Sequence, residues 1–214
     1  MREIWFALMG IMLLTGAAPS SAQNAAPPPA ATAAETATAL ALTPDDRILG
    51  KPDAPITIIE YASLDCPHCA HFAEDVLPKL KQSWIDSGKA KLVMRDFPLD
   101  EQALRAALVA RCAPPDRFYA IVDTFMQAQA RWVGARDYRD TLARLVKLGG
   151  MGQQQFDSCI DDKAAADKVA ASRLIAEQIG VNATPTFFIN GVKYEGEPSA
   201  EAMNRALTSV AAKS

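Results

Sequence analysis

Leu64 to Phe72 reads LDCPHCAHF, a Cys-x-x-Cys enclosing Pro67 and His68. The residues before it, Ile56 to Ser63 (ITIIEYAS), are rich in β-branched side chains and bounded by Pro55 and the Asp65-Cys66-Pro67 turn, the pattern of a buried strand. The residues after it predict a helix. Pro67 is tolerated in a first turn, and His71, Phe72, Val76, Leu77, Leu80 and Trp84 recur at helical spacing as far as Gly88. Pro78 lacks an N–H for the helical ladder and predicts a kink. Ala90 to Asp96 (AKLVMRD) reads as a second strand, and a strand, helix, strand order predicts a parallel pair.

From Glu101 to about Ile179 the signal is helical, broken by Pro114-Pro115, Gly134 and Gly149-Gly150. Tyr138, Leu142, Leu145 and Val146 mark one apolar face, which means core. Strand character returns at Thr186 to Asn190 (TFFIN). Asn190-Gly191 is a strong hairpin signal, Val192 to Tyr194 supplies the return strand, and Ser199 can cap a last helix through Val210.

The chain begins with an apolar run, Ile4 to Ala18, that is short of the roughly 20 residues needed to cross a bilayer. Ser20 and Ala22 suit a signal peptidase, so residues 1–22 read as a signal peptide, with an uncleaved anchor as the alternative. Residues 23–44 are rich in Ala, Pro and Thr and offer little apolar surface, so they read as a mobile linker; a short helix from Ala30 that mediates oligomer formation is the alternative. Roughly 170 residues remain, enough for one domain with a real core. The formal net charge of −3 gives no basic excess for nucleic acid.

Export places the cysteines in oxidising surroundings. A thiol becomes a nucleophile as its thiolate, and three features favour one on Cys66: the N-terminus of the helix, the thiol of Cys69 one turn on, and His68, whose protonated form adds positive charge. Asp65 opposes it. A c-type haem site needs histidine where Ala70 stands. Zinc could recruit Cys66, Cys69 and His71, but no further ligand pair completes a tetrahedron, so no metal is expected. A structural Cys66 to Cys69 bridge would close too small a ring to constrain much. If those two pair locally, Cys112 and Cys159 are left to form a staple in the helical block, with a regulatory thiol pair as the alternative. Glu60 alternates with Ile56 and Ile58 on one face of the first strand. Buried there, its carboxyl would have a raised pKa and could relay a proton for Cys69; otherwise it reaches solvent at the strand end.

With CPHC after an apolar strand, a long helical block and then ATPTFFING, the chain resembles the DsbA-like branch of the thioredoxin superfamily, the periplasmic thiol-disulfide oxidoreductases, over roughly Ile48 to Val210. The resemblance implies an α/β thioredoxin fold over 45–212 with a helical insertion at about 100–172. It implies a cis bond before Pro185, with Thr184 and Pro185 aligning a substrate peptide as an added strand. It also implies that Cys66 is the exposed nucleophile, His68 its electrostatic partner and Cys69 the buried resolving thiol, and it favours the functional role for Glu60. The expected activity is introduction of disulfides into unfolded or reduced exported polypeptides by a monomer in the periplasm, with no cofactor of its own. A DsbB-like quinone-linked membrane protein would reoxidise it. Disulfide isomerisation or reduction is the nearest alternative; a peptide-binding holdase or a metal-binding protein is a more distant one.

Overall fold

The run ITIIEYA forms strand β2 (Ile56–Ala62) and AKLVMRD forms β3 (Ala90–Asp96) in the computed structural model, which describes residues 31–213. The expected signal peptide and the first part of the expected linker lie outside the described residues. β2 and β3 pair in parallel, with Ile56 opposite Ala90 and Ala62 opposite Asp96. β1 (Arg47–Leu49), β4 (Thr186–Ile189) and β5 (Val192–Tyr194) add antiparallel, in the order β1-β3-β2-β4-β5. Asn190 and Gly191 take φ of 47° and 82°, the left-handed conformations that a two-residue turn needs to match the twist of its strands. The Asn190 side chain also accepts from the Thr57 N–H at 2.8 Å, tying the hairpin to β2.

Both faces of the sheet are covered, which is why β2 is apolar almost throughout. Ile56 and Ile58 pack against Phe72, Val76 and Leu80, and against Met203 and Leu207 of the last helix. Ile59 and Tyr61 face the other way, onto Leu40, Ala176 and Ile179. The helix after β2 begins as α2 (Pro67–His71) and continues through α3 (Leu77–Leu80), with π-helical turns at Phe72–Val76 and Lys81–Ile85. The discontinuity expected at Pro78 therefore takes the form of a widened turn. The Leu77 N–H reaches back five residues to the Phe72 carbonyl just before the proline, where the α ladder would be interrupted.

Between β3 and β4 the chain forms α4 (Glu101–Arg111), α5 (Phe118–Gln127), α6 (Gln129–Trp132), α7 (Tyr138–Leu148), α8 (Gln153–Ile160) and α9 (Lys163–Gln178). Leu142, Leu145 and Val146 of α7 are buried in a core shared with Phe118, Phe125 and Trp132. That core reaches the sheet through Ala62 and Met94, and it includes Cys66 and Cys69. α9 runs to Gln178, and its Ala176 packs on the far face of the sheet, so it belongs as much to the sheet layer as to the insertion. α10 (Ala200–Ala211) closes the fold, capped by the Ser199 hydroxyl.

The mobile linker expected over 23–44 is corrected within the described residues. Ala33–Leu40 is a helix, α1, opened by a capping box in which Thr32 and Glu35 satisfy each other's backbone N–H groups. It is anchored by burial of Leu40 and by Arg95, whose guanidinium donates to the carbonyls of Ala39 and Ala41 at 2.7 and 2.8 Å. One leucine and one arginine dock a segment that composition alone describes as unable to pack.

Cys112, at the end of α4, is disulfide-bonded to Cys159 of α8 across 47 residues. Replacing both by alanine is expected to lower stability by about 4 kcal/mol, the loop-closure entropy for that span. Urea unfolding measures it, and an unchanged midpoint would show that the bond constrains nothing in the unfolded chain.

Candidate active site

Cys66 is the residue before the first turn of α2, with extended backbone (φ −78°, ψ 121°), and its carbonyl accepts the first helical N–H, from Ala70, at 3.1 Å. Its sulfur therefore meets the free N–H groups of a helix start. Across from it the Thr184–Pro185 peptide bond is cis, and the Cys66 thiol donates to the Thr184 carbonyl at 3.3 Å. Both cysteines are free.

The two thiols are strongly unequal. The hydrogen bond from the Cys69 thiol, opposed by burial and helped by Thr184 and by the backbone N–H groups of Cys69 and His68, brings the Cys66 pKa from 9.0 down to about 5. Cys69 moves the other way: its bond to the Cys66 sulfur, its burial and the nearby Glu60 charge hold it well above the ordinary thiol range. The Thr184 hydroxyl is buried with no hydrogen-bond partner among the described residues, yet it lies close enough to the Cys66 sulfur to favour the thiolate.

Three residues of the dithiol segment gain detail in the structure. Cys66, expected to be exposed, is only 4% exposed, because the Thr184–Pro185 loop lies against its sulfur. His68 is at the surface, and its backbone N–H is one of the groups that favour the thiolate. Asp65 is half-buried and takes a hydrogen bond from the Ser63 hydroxyl. Burial raises its pKa, as do Asp100 and the Cys66 charge, and the same repulsion opposes the thiolate. His71, weighed above as a metal ligand, pairs with Asp75 at 2.7 Å.

Glu60 lies on the face of β2 that carries Ile56 and Ile58, and at 4% exposure it does not reach solvent at the strand end. Burial, with a smaller contribution from the Cys66 charge, pushes its pKa up to about 8. A carboxyl that holds its proton at neutral pH and bears on the resolving thiol can supply that proton.

Two further residues shape the site without any signal around the CPHC stretch. The Gln129 amide, at the start of α6, spends both N–H bonds on the carbonyls of Leu64 and Cys66, at 2.7 and 3.0 Å, pinning the nucleophile's loop to the helical insertion. Ser63, besides bonding Asp65, accepts from the Leu99 N–H at 3.1 Å and so ties the same loop to the segment after β3. Both contacts span more than thirty residues of sequence, so no local pattern reports them.

Residues 42–209 match the thioredoxin family. The chain is 34% identical over 153 residues to a putative protein-disulfide oxidoreductase of Rickettsia prowazekii, covering 71% of this chain and 56% of that protein. A counterpart from Rickettsia bellii is 35% identical over 153 residues, covering 71% and 59%. The chain thus spans somewhat over half the length of these curated relatives. Among solved structures, Wolbachia pipientis alpha-DsbA1 superimposes with a TM-score of 0.78 at 32% identity, covering 83% of this chain and 96% of that one. BdbD from Bacillus subtilis shares the fold at 21% identity and a TM-score of 0.71, over 78% of this chain and 93% of its own. The chain belongs to the thioredoxin family, in its DsbA-like branch.

Proposed function

We propose that this chain is an exported dithiol oxidase that places disulfide bonds in reduced polypeptides. The observation that carries the reading is the inequality of the two sulfurs at one helix start, one stabilised as a thiolate and one held as a thiol. In the oxidised protein a substrate thiolate attacks the Cys66 sulfur, forming a mixed disulfide and expelling Cys69, which takes a proton that Glu60 is placed to give. The substrate's second thiolate then attacks its own sulfur in the mixed disulfide and releases Cys66. The substrate loses two electrons and the dithiol gains them. Because Cys66 leaves as a stabilised anion, the second step runs toward oxidised substrate and reduced protein.

The Thr184–Pro185 loop beside Cys66 would align an extended peptide as an added strand. Substrates are unfolded or reduced exported polypeptides, handled by a monomer in the periplasm after removal of the signal peptide. A DsbB-like quinone-linked membrane protein takes the electrons onward. A stable dimer or trimer in sedimentation would instead favour the isomerase direction.

The test is the pH dependence of Cys66 alkylation in the reduced protein, expected to reach half its maximum near pH 5. A midpoint near the ordinary thiol value of about 8.5 would sink the oxidase reading. In the same assay series, Cys66→Ser is expected to reduce disulfide formation to the uncatalysed background, whereas Cys69→Ser accumulates mixed disulfide with substrate.

A further inference from the structure

Arg95 shows what a fully satisfied guanidinium looks like in this fold. Its Nε and Nη2 hold Asp46 at 3.0 and 2.9 Å, Nη1 donates to the Ala39 carbonyl and the Tyr61 hydroxyl, and Nη2 donates to the Ala41 carbonyl. Each of its five N–H bonds has an acceptor.

Arg47, which lines the same cavity, is different. Its Nη1 donates to the Asp45 carbonyl at 3.2 Å, but its Nε is buried with no partner, and no carboxylate pairs with it among the described residues. Arg111 donates its own Nη1 to that same carbonyl at 3.3 Å, while its Nε is taken by Asp96. Two guanidinium groups, one from β1 and one from the end of α4, thus converge on a single neutral oxygen. Arg111 is already paired with Asp96, whereas a buried N–H without an acceptor is unfavourable, and an anion beside Arg47 would relieve it.

The cavity they line encloses about 490 Å³ beside α1, β1 and α9, within the range of about 300–1,000 Å³ typical of small-molecule sites. It contains none of the dithiol residues. Four cationic side chains, Arg47, Arg95, Arg111 and Lys168, face Asp45, Asp46 and Asp96, leaving one positive charge in excess. Ala39, Val169 and Ile175 supply an apolar wall, and Ile175 is 46% exposed, uncovered by any described element.

We propose that this cavity binds a small organic monoanion with an apolar body, its charged group held by Arg47 and Arg111 and its body lying along Val169 and Ile175. The excess charge selects an anion over a cation, and the wall of α9 selects a molecule with hydrocarbon over an inorganic ion. Neither requirement involves the dithiol, so the proposal stands apart from the oxidase reading.

Calorimetric titration of the full chain with decanoate tests it, with decanol presenting the same hydrocarbon without charge and acetate the charge without hydrocarbon. Decanoate is expected to fill one saturable site, and both controls to bind far more weakly. Loss of a charge-assisted hydrogen bond in Arg47→Gln is expected to weaken decanoate by about ten- to a hundredfold. Lys168→Gln, at an exposed side chain, is expected to weaken it severalfold and serves alone should Arg47→Gln fail to fold. Absence of a saturable site, equal binding of decanol, or wild-type affinity in the folded variants would overturn the proposal.

Discussion

Between pH 4.5 and pH 7 the reduced protein is expected to gain stability over the Cys66–Cys69 disulfide form by at most about 3 kcal/mol, less whatever solvent screening removes at the sulfur. The cause is the Cys66 thiolate, which titrates at about 5 in the folded reduced state against an ordinary value of 9.0. A depressed acid contributes stability that is fully present above its unfolded pKa and is lost as pH falls through its folded one. The reduced form therefore gains about 1.4 kcal/mol per pH unit between 5 and 9, about 5 kcal/mol over the whole window, and the oxidised form has no thiol there to titrate. Above pH 9 the gain reverses, because the unfolded chain ionises Cys69 while the folded protein keeps it protonated. By the redox cycle, 3 kcal/mol corresponds to about 60 mV of added oxidising power. Paired urea titrations of the two forms at pH 4.5 and pH 7 measure this, and a stability difference between the forms that is the same at both pH values would refute it.

Glu60→Gln is expected to stabilise the protein at pH 8 by about 5 kcal/mol at most and to leave it unchanged at pH 4. Here the shift is upward, from 4.5 to about 8, so between those values the unfolded chain has given up a proton that the folded chain retains. Stability then falls as pH rises through the window, the opposite sign to Cys66. Glutamine keeps the shape and the neutral state and removes the dependence. The measurement belongs on the oxidised protein, where Cys66 does not titrate and burial, the larger cause of the shift, persists. Stability curves for wild type and variant that run parallel from pH 4 to pH 8 would show that Glu60 is not held neutral. The same variant should slow protonation of Cys69, so mixed disulfide should form more slowly in stopped-flow mixing with a thiol peptide.

The two signs meet in one site and explain why it is tolerable. Between pH 5 and pH 8 the reduced protein gains from Cys66 what it loses at Glu60, so a buried carboxyl under the nucleophile does not make the reduced form fragile at neutral pH.

Much of this was legible in order along the chain. ITIIEYAS and AKLVMRD announced their strands because a strand buried on both faces must be apolar at nearly every position, and Asn190-Gly191 announced a turn because few other pairs accept positive φ twice. The Pro and Gly breaks divided the helical block where the helices end. β1 was silent, since three residues are too few to show alternation, and composition ranked α1 below a mobile linker, as the alternative helix from Ala30, although Thr32 and Glu35 carried the cap signal. What the sequence by itself determined was the order of elements and the presence of a dithiol at a helix start, because these follow from local backbone preference and periodicity. Only the tertiary structure decided which way each sulfur is biased. The cis loop at Thr184, the carboxyl of Glu60 and the amide of Gln129 reach the pair from other elements, and a pKa depends on what lies within a few ångströms in space, not on neighbours in the chain.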